Sequence, residues 1–565
     1  MAYFLKKSKL KGRTYLSICE SFYCHDKKGT AHKTYKSLGS LETHLSVGLV
    51  DPISHFQKEV DLLNEQTTNK KNVIIGSVSP IKHLGYFPLK SIINNLDIKK
   101  YIDYFKLTTS YQFDLYDILT ALVYARSVHP CSKQRTFHEI LPSLFESYDF
   151  TYDQLLDGLA FYGNEYEKIV ELFTRQTTKY YGVDTNTTYF DCTNFYFEID
   201  REDDFRRKGP SKEGRHDPIV GMGLLLDKNQ IPIGMKLYPG NESEKPVLRS
   251  VIDDLKKQNN ITGKTIHVAD KGLNCAENIY KSLKHKDGYL FSKSVKMLPE
   301  IEKTWVLLDN DWKTIFGKNG QPIYKHKSCI DEFEYDFKDS DGKKRRVKIK
   351  EKRLVTFNYS LATKQRFEIN KLMMKARALK SSQAKKSEYG DAAKYIKFSS
   401  INDDGSESSK KTKVTINEQA FENDLRLAGY NLLVTSELKM KDEEMYETYH
   451  NLWRIEESFR IMKSDLDARP VFLQKEETIK GHFLICYISV LLERIFQFKV
   501  LNNKYSTSEI YKFMKSFNIV KTQNEYINAS INTDFLTDLS KITALPLDHY
   551  FLSETKIKMV INYKF

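Results

Sequence analysis

Residues 449–463 read YHNLWRIEESFRIMK, a short stretch that crowds a Trp, two Glu, two Arg and a Lys. Helical spacing puts Tyr449, Trp453, Glu456, Arg460 and Lys463 on one face. The other face offers Leu452, Phe459 and Met462 for packing. A carboxylate set among cations and aromatics is either a solvated face laced with ion pairs or one corner of a site that grips a phosphate. The rest of the chain has to choose between them.

Its bulk properties favour an anionic partner. The 565 residues carry a formal net charge of +14, which suits nucleic acid or a membrane surface. The best apolar run, FLICYISVLL at 483–492, is closed by Glu493 and Arg494. It is too short to span a bilayer and reads as a buried helix, so no membrane partner is expected. The start, MAYFLKKSKLKGR, lacks a signal-peptide core. Seven scattered cysteines with no C-x-x-C pair argue against a disulfide scaffold and structural zinc, and a cytoplasmic location is expected. Between residues 341 and 386 sixteen Lys and Arg face three acids, nearly the whole excess of the molecule. The candidate DNA contacts there are Lys343, Lys344, Arg345, Arg346, Lys348, Lys350, Lys371, Lys375, Arg377 and Lys380.

Length predicts about two to four domains. A small basic β module occupies 1–70, with strand-like runs at 14–18 and 33–38 around the turn HDKKGT. Helical periodicity dominates 76–182. At 187 the pattern changes to strands: TTYFDCTNFYFEI, then GMGLLLD (221–227) and IPIGMKLY (231–238), which form a hairpin. A helix (246–258), a short strand TIHVAD (265–270), a second helix and the strand GYLFSKSV (288–295) follow. Residues 296–430 read differently. They hold a strand-like run RRVKIKEKRLVTFN, a basic helix LATKQRFEINKLMMKARALK and a polar stretch, INDDGSESSKKTK (401–413), expected to be a loop. NLLVTSEL (431–438) restores a strand, and the opening helix follows it within 431–499. Residues 500–565 form a mixed tail that is a candidate for dimerisation. The order β-β-β-α-β-α-β over 183–295 resembles an RNase H-like core. The expected fold is therefore α/β: an RNase H-like catalytic core interrupted by a mainly β insertion domain, with a small N-terminal β module and a helical domain.

In that topology the first and fourth strands are neighbours and the 449–463 helix packs beside them. Asp191 in the first strand, Asp270 at the end of the fourth and Glu456 on the helix would then converge. Each alone is an ordinary strand or helix acid, and Asp270 before Lys271-Gly272 could cap a helix. Together they form a ligand set of hard oxygens, which suits Mg²⁺ or Mn²⁺.

The opening stretch resembles the Tyr-x2-Arg-x3-Glu-x6-Lys signature of DDE cut-and-paste insertion-sequence transposases. Tyr449, Glu456 and Lys463 fall on its positions, and Leu452 replaces the Arg. TTYFDCTNFYFE, GPSKEGRHDPIVGMGLLLDKNQIPIGMKLYPGNESE, VADKGLNCAENI and KSDLDARPVF (463–472) extend the likeness. The 186 residues from Asp270 to Glu456 fit members with a β-rich insertion before the Glu helix. The resemblance implies that Asp191, Asp270 and Glu456 are the catalytic, metal-binding triad for two Mg²⁺ ions per active site, with Mn²⁺ as a substitute. It implies that Tyr449 and Lys463 contact the DNA backbone. Trp453, Arg454 and Arg460 are further candidate contacts, Arg454 or Arg460 standing in for the missing Arg.

The implied function is a DNA transposase. It would bind terminal inverted repeats, cleave transposon ends and join their 3′-hydroxyls to target DNA, with a hairpin intermediate as one route. Double-stranded DNA and a second copy in a synaptic homodimer are the implied partners, in a bacterial cytoplasm at the nucleoid. A metal-dependent endonuclease of the same fold without strand transfer, and a DNA-binding protein on a retired catalytic scaffold, stand as alternatives.

Overall fold

Chain packing divides the molecule into two units, Met1–Ser79 and Pro80–Phe565. The computed structural model describes all residues except 1, 11, 25–28, 72–78, 213, 259–262, 339–341, 382–385, 402–406 and 523–524. In the first unit β1 (Ala2–Leu10), β2 (Arg13–Cys24) and β3 (Gly29–Ser40) form an antiparallel meander. Two strands are expected there from the sequence and three are found. AYFLKKSKL alternates apolar and cationic residues too loosely to stand out, and pairing with β2 makes it a strand. Most of the HDKKGT turn lies outside the described residues. Helices Leu41–Ser46 and Pro52–Lys71 complete the unit.

The second unit begins with β4 (Ile81–His83) and then runs helical from Phe87 to Tyr181, as the periodicity predicts. Local chemistry sets the helix starts. Asp114 accepts from the backbone of Tyr116 and Asp117, and Thr151 with Gln154 forms a capping box. The strands that follow are β5 (Thr187–Tyr196), β6 (Ile219–Leu226), β7 (Pro232–Pro239), β8 (Ile266–Ala269) and β9 (Gly288–Lys293). Next come β10 (Lys313–Phe316), β11 (Pro322–Lys338), β12 (Lys344–Asn358), β13 (Ile396–Ile401), β14 (Glu407–Ile416) and β15 (Tyr430–Thr435).

Nine of them form one sheet, in the order β10-β11-β12-β15-β9-β8-β5-β6-β7. The β5–β8 and β8–β9 pairs are parallel and the other pairs antiparallel. The first and fourth strands of the 183–295 segment are therefore neighbours, as expected. β10, β11 and β12 come from the 296–430 stretch and continue the same sheet, with β15 seated between β12 and β9. β13 and β14 pair with each other. The polar 401–413 stretch is thus not wholly a loop: from Glu407 onward it is strand, because cross-strand pairing with β13 overrides its low apolar content.

Side-chain alternation assigns the two faces of the sheet. Tyr189, Phe195, Met222, Leu224, Leu290 and Leu433 join a large core shared with the helices. Phe190, Cys192, Leu225, Phe291, Leu432 and Val434 join a second core under the Glu244–Gln258 helix. At the centre of the first core lies the Glu476–Ile495 helix, in which every residue from Gly481 to Ile495 is buried. It packs so closely that a Cβ on Gly481 would fall 2.1 Å from the Leu159 carbonyl oxygen. Among the described residues no helix is long and apolar enough to cross a membrane. In the tail, β16 (Asn518–Lys521), β17 (Tyr526–Asn528) and β18 (Phe551–Leu552) pair back to β4 in the order β18-β17-β16-β4. Ile510, Leu536 and Ile557 of the same tail sit in the large core.

The opening stretch is not one helix. Asp442–His450 ends, Asn451 and Leu452 form a turn, and a new helix runs Trp453–Arg460 into a wider π turn over Ile461–Asp465. Leu452 is only 9% exposed and belongs to the large core.

Candidate active site

Asp191 sits mid-strand in β5 and shares the sheet face of Tyr189 and Phe195. Phe190 of β5 pairs with Ala269 of β8, so the next step along both strands brings Asp191 beside Asp270. The Trp453–Arg460 helix packs against β5 through Ile455 and Phe459, on this same face.

Each acid is held. The Cys192 amide donates to Asp191 Oδ1 at 2.7 Å. Lys212 Nζ stands 3.8 Å from the same oxygen and 3.2 Å from Glu244 Oε1, and it donates to the Cys192 carbonyl. Burial pushes the Asp191 carboxyl up to about 6. Glu244 and Asp270 add to the rise, while Lys212 and the amide oppose it. Asp270 receives a hydrogen bond from the Tyr449 hydroxyl at 3.1 Å. Burial and Asp270 hold that phenol well above its ordinary range, so it remains a donor. Asp270 does not cap the next helix, whose N-cap is Cys275.

Glu456 lies exposed on the helix. Its neighbour Glu457 is the inward one, 3.0 Å from Arg494. Among the described residues no three His, Cys, Asp or Glu side chains are grouped closely enough to hold one metal ion. The structure brings together Asp191, Asp270 and Tyr449 and leaves Glu456 outside ligand distance of them.

The remaining predicted residues fall into two groups. Lys463 lies over the Phe195 ring at 5.4 Å, further along β5. Trp453 is 53% exposed, with Arg454 over its ring at 5.5 Å. Arg460 donates to Thr507 Oγ1 at 3.0 Å and approaches Glu457 and Asp465. Away from the acids, Lys343, Lys344, Arg345, Arg346, Lys348 and Lys350 are exposed on or beside β12, and Lys371, Lys375, Arg377 and Lys380 on the Tyr359–Ser381 helix. Several carry acidic partners: Arg346 bonds Asp336 at 2.8 Å and Arg377 bonds Glu418 at 3.1 Å.

Sequence reasoning missed Lys212 and Glu244. Both lie in the stretch 209–244, whose run of Gly, Lys and acids around a hairpin was the available signal. A cleft of about 570 Å³ beside Asp191 is lined by Asn194, Lys212, Tyr238, Glu244 and Gly272. Its two loops touch backbone to backbone, since a Cβ on Gly209 would meet the Gly240 carbonyl at 2.0 Å.

An α/β protein with two acids meeting across adjacent parallel strands is the class that fold and site define. The sequence pattern of the transposase DDE domain matches residues 190–492, more than half of the chain and a span containing Asp191, Asp270 and Glu456. The chain belongs to this transposase DDE domain family. Among solved structures it is similar to a piggyBac transposase synaptic complex with hairpin DNA, studied by cryo-EM. The likeness is 11% sequence identity over 87% of this chain and 86% of that one, with a TM-score of 0.38. No curated protein matches the chain in sequence.

Proposed function

We propose that the chain is a DNA transposase that binds terminal inverted repeats, cleaves transposon ends with divalent metal and joins the 3′-hydroxyls to target DNA. The observation that carries this reading is the meeting of Asp191 and Asp270 across β5 and β8, with the Glu456 helix packed on the same face. The strand order β7-β6-β5-β8-β9, with only the β5–β8–β9 run parallel, supports an RNase H-like core. In this reading 296–430 is an insertion that widens the core sheet, and two copies act as a homodimer at the nucleoid.

The donor chemistry fits a hard cation. Asp191, Asp270 and Glu456 offer only oxygens, and the charges of Glu244 and Asp270 beside Asp191 help to hold the Asp191 carboxyl above its ordinary range, a place that a cation would relieve. These three would hold two Mg²⁺ ions, or Mn²⁺ in substitution. When bound, the ions activate a water or 3′-hydroxyl and stabilise the leaving 3′-oxygen. The chain's own groups do the rest. Tyr449 orients the Asp270 carboxylate through its hydroxyl. Lys212 partly neutralises Asp191 and Glu244. Glu456, exposed on its helix, is free to approach the acids when DNA lies in the site. Tyr449 stands at Asp270, beside the middle of β5, and Lys463 lies over Phe195 further along the strand, so both would face a phosphodiester that runs along it.

The test is a reaction of the protein with its element's end DNA, a target plasmid and Mg²⁺, beside Asp191→Ala, Asp270→Ala and Glu456→Ala. Joined products that vanish in all three variants support the transposase. Cleavage without joining identifies a nuclease, and DNA binding with no metal-dependent product sinks both.

A further inference from the structure

A cleft of about 290 Å³ is walled by residues 131–134, by 467–473 and by the Leu115–Val128 and Glu476–Ile495 helices. Three basic side chains line it, each more than nine-tenths buried: Arg126 and Lys133, both 6% exposed, and His482, 4% exposed. Their partners are almost all neutral acceptors. Arg126 donates to the carbonyls of Cys131 at 3.0 Å, Leu466 at 3.3 Å and Asp467 at 3.5 Å. Lys133 Nζ lies 3.3 Å from His482 Nδ1, and His482 Nε2 lies 3.1 Å from the Ala468 carbonyl. Among the described residues neither Arg126 nor Lys133 forms an ion pair with a carboxylate. Cys131 and Cys486 are the other titratable groups close to the amine, with exposed Asp467 and the Tyr152 hydroxyl on the lining.

A buried cation with no counter-charge is expensive, and an unpaired amine in such a place sheds its proton. Burial and the nearby Arg126 accordingly hold Lys133 far below its ordinary range, and burial with Lys133 does the same to His482. A packing role would be served as well by Met or Leu. Two basic groups on an open cleft instead supply what a tetrahedral anion needs, unused guanidinium N–H donors on Arg126 and the Lys133 amine, which the His482 imidazole holds in place.

We infer that this cleft is an anion site that takes a phosphate group between Arg126 and Lys133. The occupant is either inorganic phosphate or a phosphodiester of a DNA backbone. Its entry supplies the missing negative charge, so Lys133 takes up a proton as the anion binds. Arg126 also grips the carbonyls of Leu466 and Asp467, three and four residues beyond Lys463, so an occupied site braces the segment that leaves the signature helix.

Titration calorimetry with inorganic phosphate, in two buffers of different ionisation enthalpy, tests this on the full chain. The wild type is expected to bind phosphate with net proton uptake. Lys133→Met is expected to bind about tenfold or more weakly, with the uptake reduced. Thermal unfolding in phosphate-free buffer serves as the folding control, and the variant should be at least as stable as the wild type. A second arm measures a short DNA duplex against both proteins. A matching loss there assigns the site to backbone phosphodiesters, and a loss for inorganic phosphate alone assigns it to the free ion. Equal phosphate and duplex affinity in a folded Lys133→Met protein, or no phosphate binding by the wild type together with unchanged duplex affinity, overturns the inference. Asp191→Ala should leave phosphate binding untouched, so this result stands apart from the fate of the transposase reading.

Discussion

Glu456 and Glu457 are adjacent in sequence and sit in opposite environments, Glu456 exposed and Glu457 turned toward Arg494. Glu457 pairs at 3.0 Å with Arg494, whose side chain is 1% exposed. Removing the charge would leave the buried guanidinium with the neutral acceptors Gln497 and Ser458 and with Glu493 at 3.9 Å, whose carboxyl burial keeps largely protonated below about pH 7. Glu457→Gln should therefore cost about 3 kcal/mol in chemical denaturation. Glu456→Gln touches nothing buried and should change stability by less than about 0.5 kcal/mol, while abolishing metal-dependent DNA cleavage in the proposed reaction. A stable, inactive Glu456 variant beside an unstable Glu457 variant is the expected pattern, and the reverse would put the function on the wrong residue. The sequence could rank these two acids only through the spacing of a resembled signature. The preference of Arg494 for Glu457 depends on a contact 37 residues away. Lys212 and Glu244 escaped notice for the same reason: their tie to Asp191 exists only once two loops meet.

At the scale of elements, the break at Asn451–Leu452 is the main departure from the sequence reading. Helical spacing over 449–463 is sound as a pattern, yet the chain turns at Asn451–Leu452 between two helices, with Leu452 in the core. The resembled signature carries Arg at this position. Leu452→Arg should not gain a phosphate contact; it should lower stability by about 2–4 kcal/mol, because a guanidinium would enter an apolar core without a partner. A melting curve unchanged from wild type would refute this. The Glu476–Ile495 helix carries a second test. Glu493 is fully buried, and among the described residues neither of its oxygens has a hydrogen-bond partner. Burial raises its carboxyl from an ordinary 4.5 to about 7, against the pull of Arg494. The folded state thus holds this proton more tightly than the unfolded chain. Stability should be highest below pH 4.5, fall as pH rises to about 7, and stay level above, a loss of at most about 3 kcal/mol from this group. Glu493→Gln should remove that slope and exceed the wild type in melting temperature at pH 8.

For the molecule as a whole, the excess charge is the property most tied to a partner. The β12 cations from Lys344 to Lys350 and those of the Tyr359–Ser381 helix named above lie on exposed positions, while Ile349 and Met373 turn inward and Lys352 and Arg353 are buried in ion pairs. If these cations bind phosphates, log affinity for duplex DNA should fall linearly with log salt, and each contact removed should flatten the slope by about 0.9. Replacing Lys344, Lys350, Lys371 and Lys375 by Gln should weaken specific and non-specific duplexes alike. An unchanged slope would mean that these residues form only a solvated surface. Part of this segment already carries internal partners, as Arg346 does with Asp336, so the uncommitted lysines are the informative ones.

What the sequence determined by itself is local and periodic. It held the switch from helical to strand pattern at 187, the order of strands and helices over 183–295, the positions of the acids 191 and 270 on their strands, and the basic segment. Each is encoded in side-chain spacing of two or 3.6 residues or in plain composition. What only the tertiary structure decided depends on contacts distant in sequence. These include the widening of the core sheet by β10, β11 and β12, the strand in the polar 407–413 run and the break between helices at Asn451–Leu452. The same holds for the pairing of Glu457 with Arg494 and for the closing of Lys212 on Asp191. Residues far apart in the chain share one environment only after folding, and there burial and charge pairing outweigh local preference.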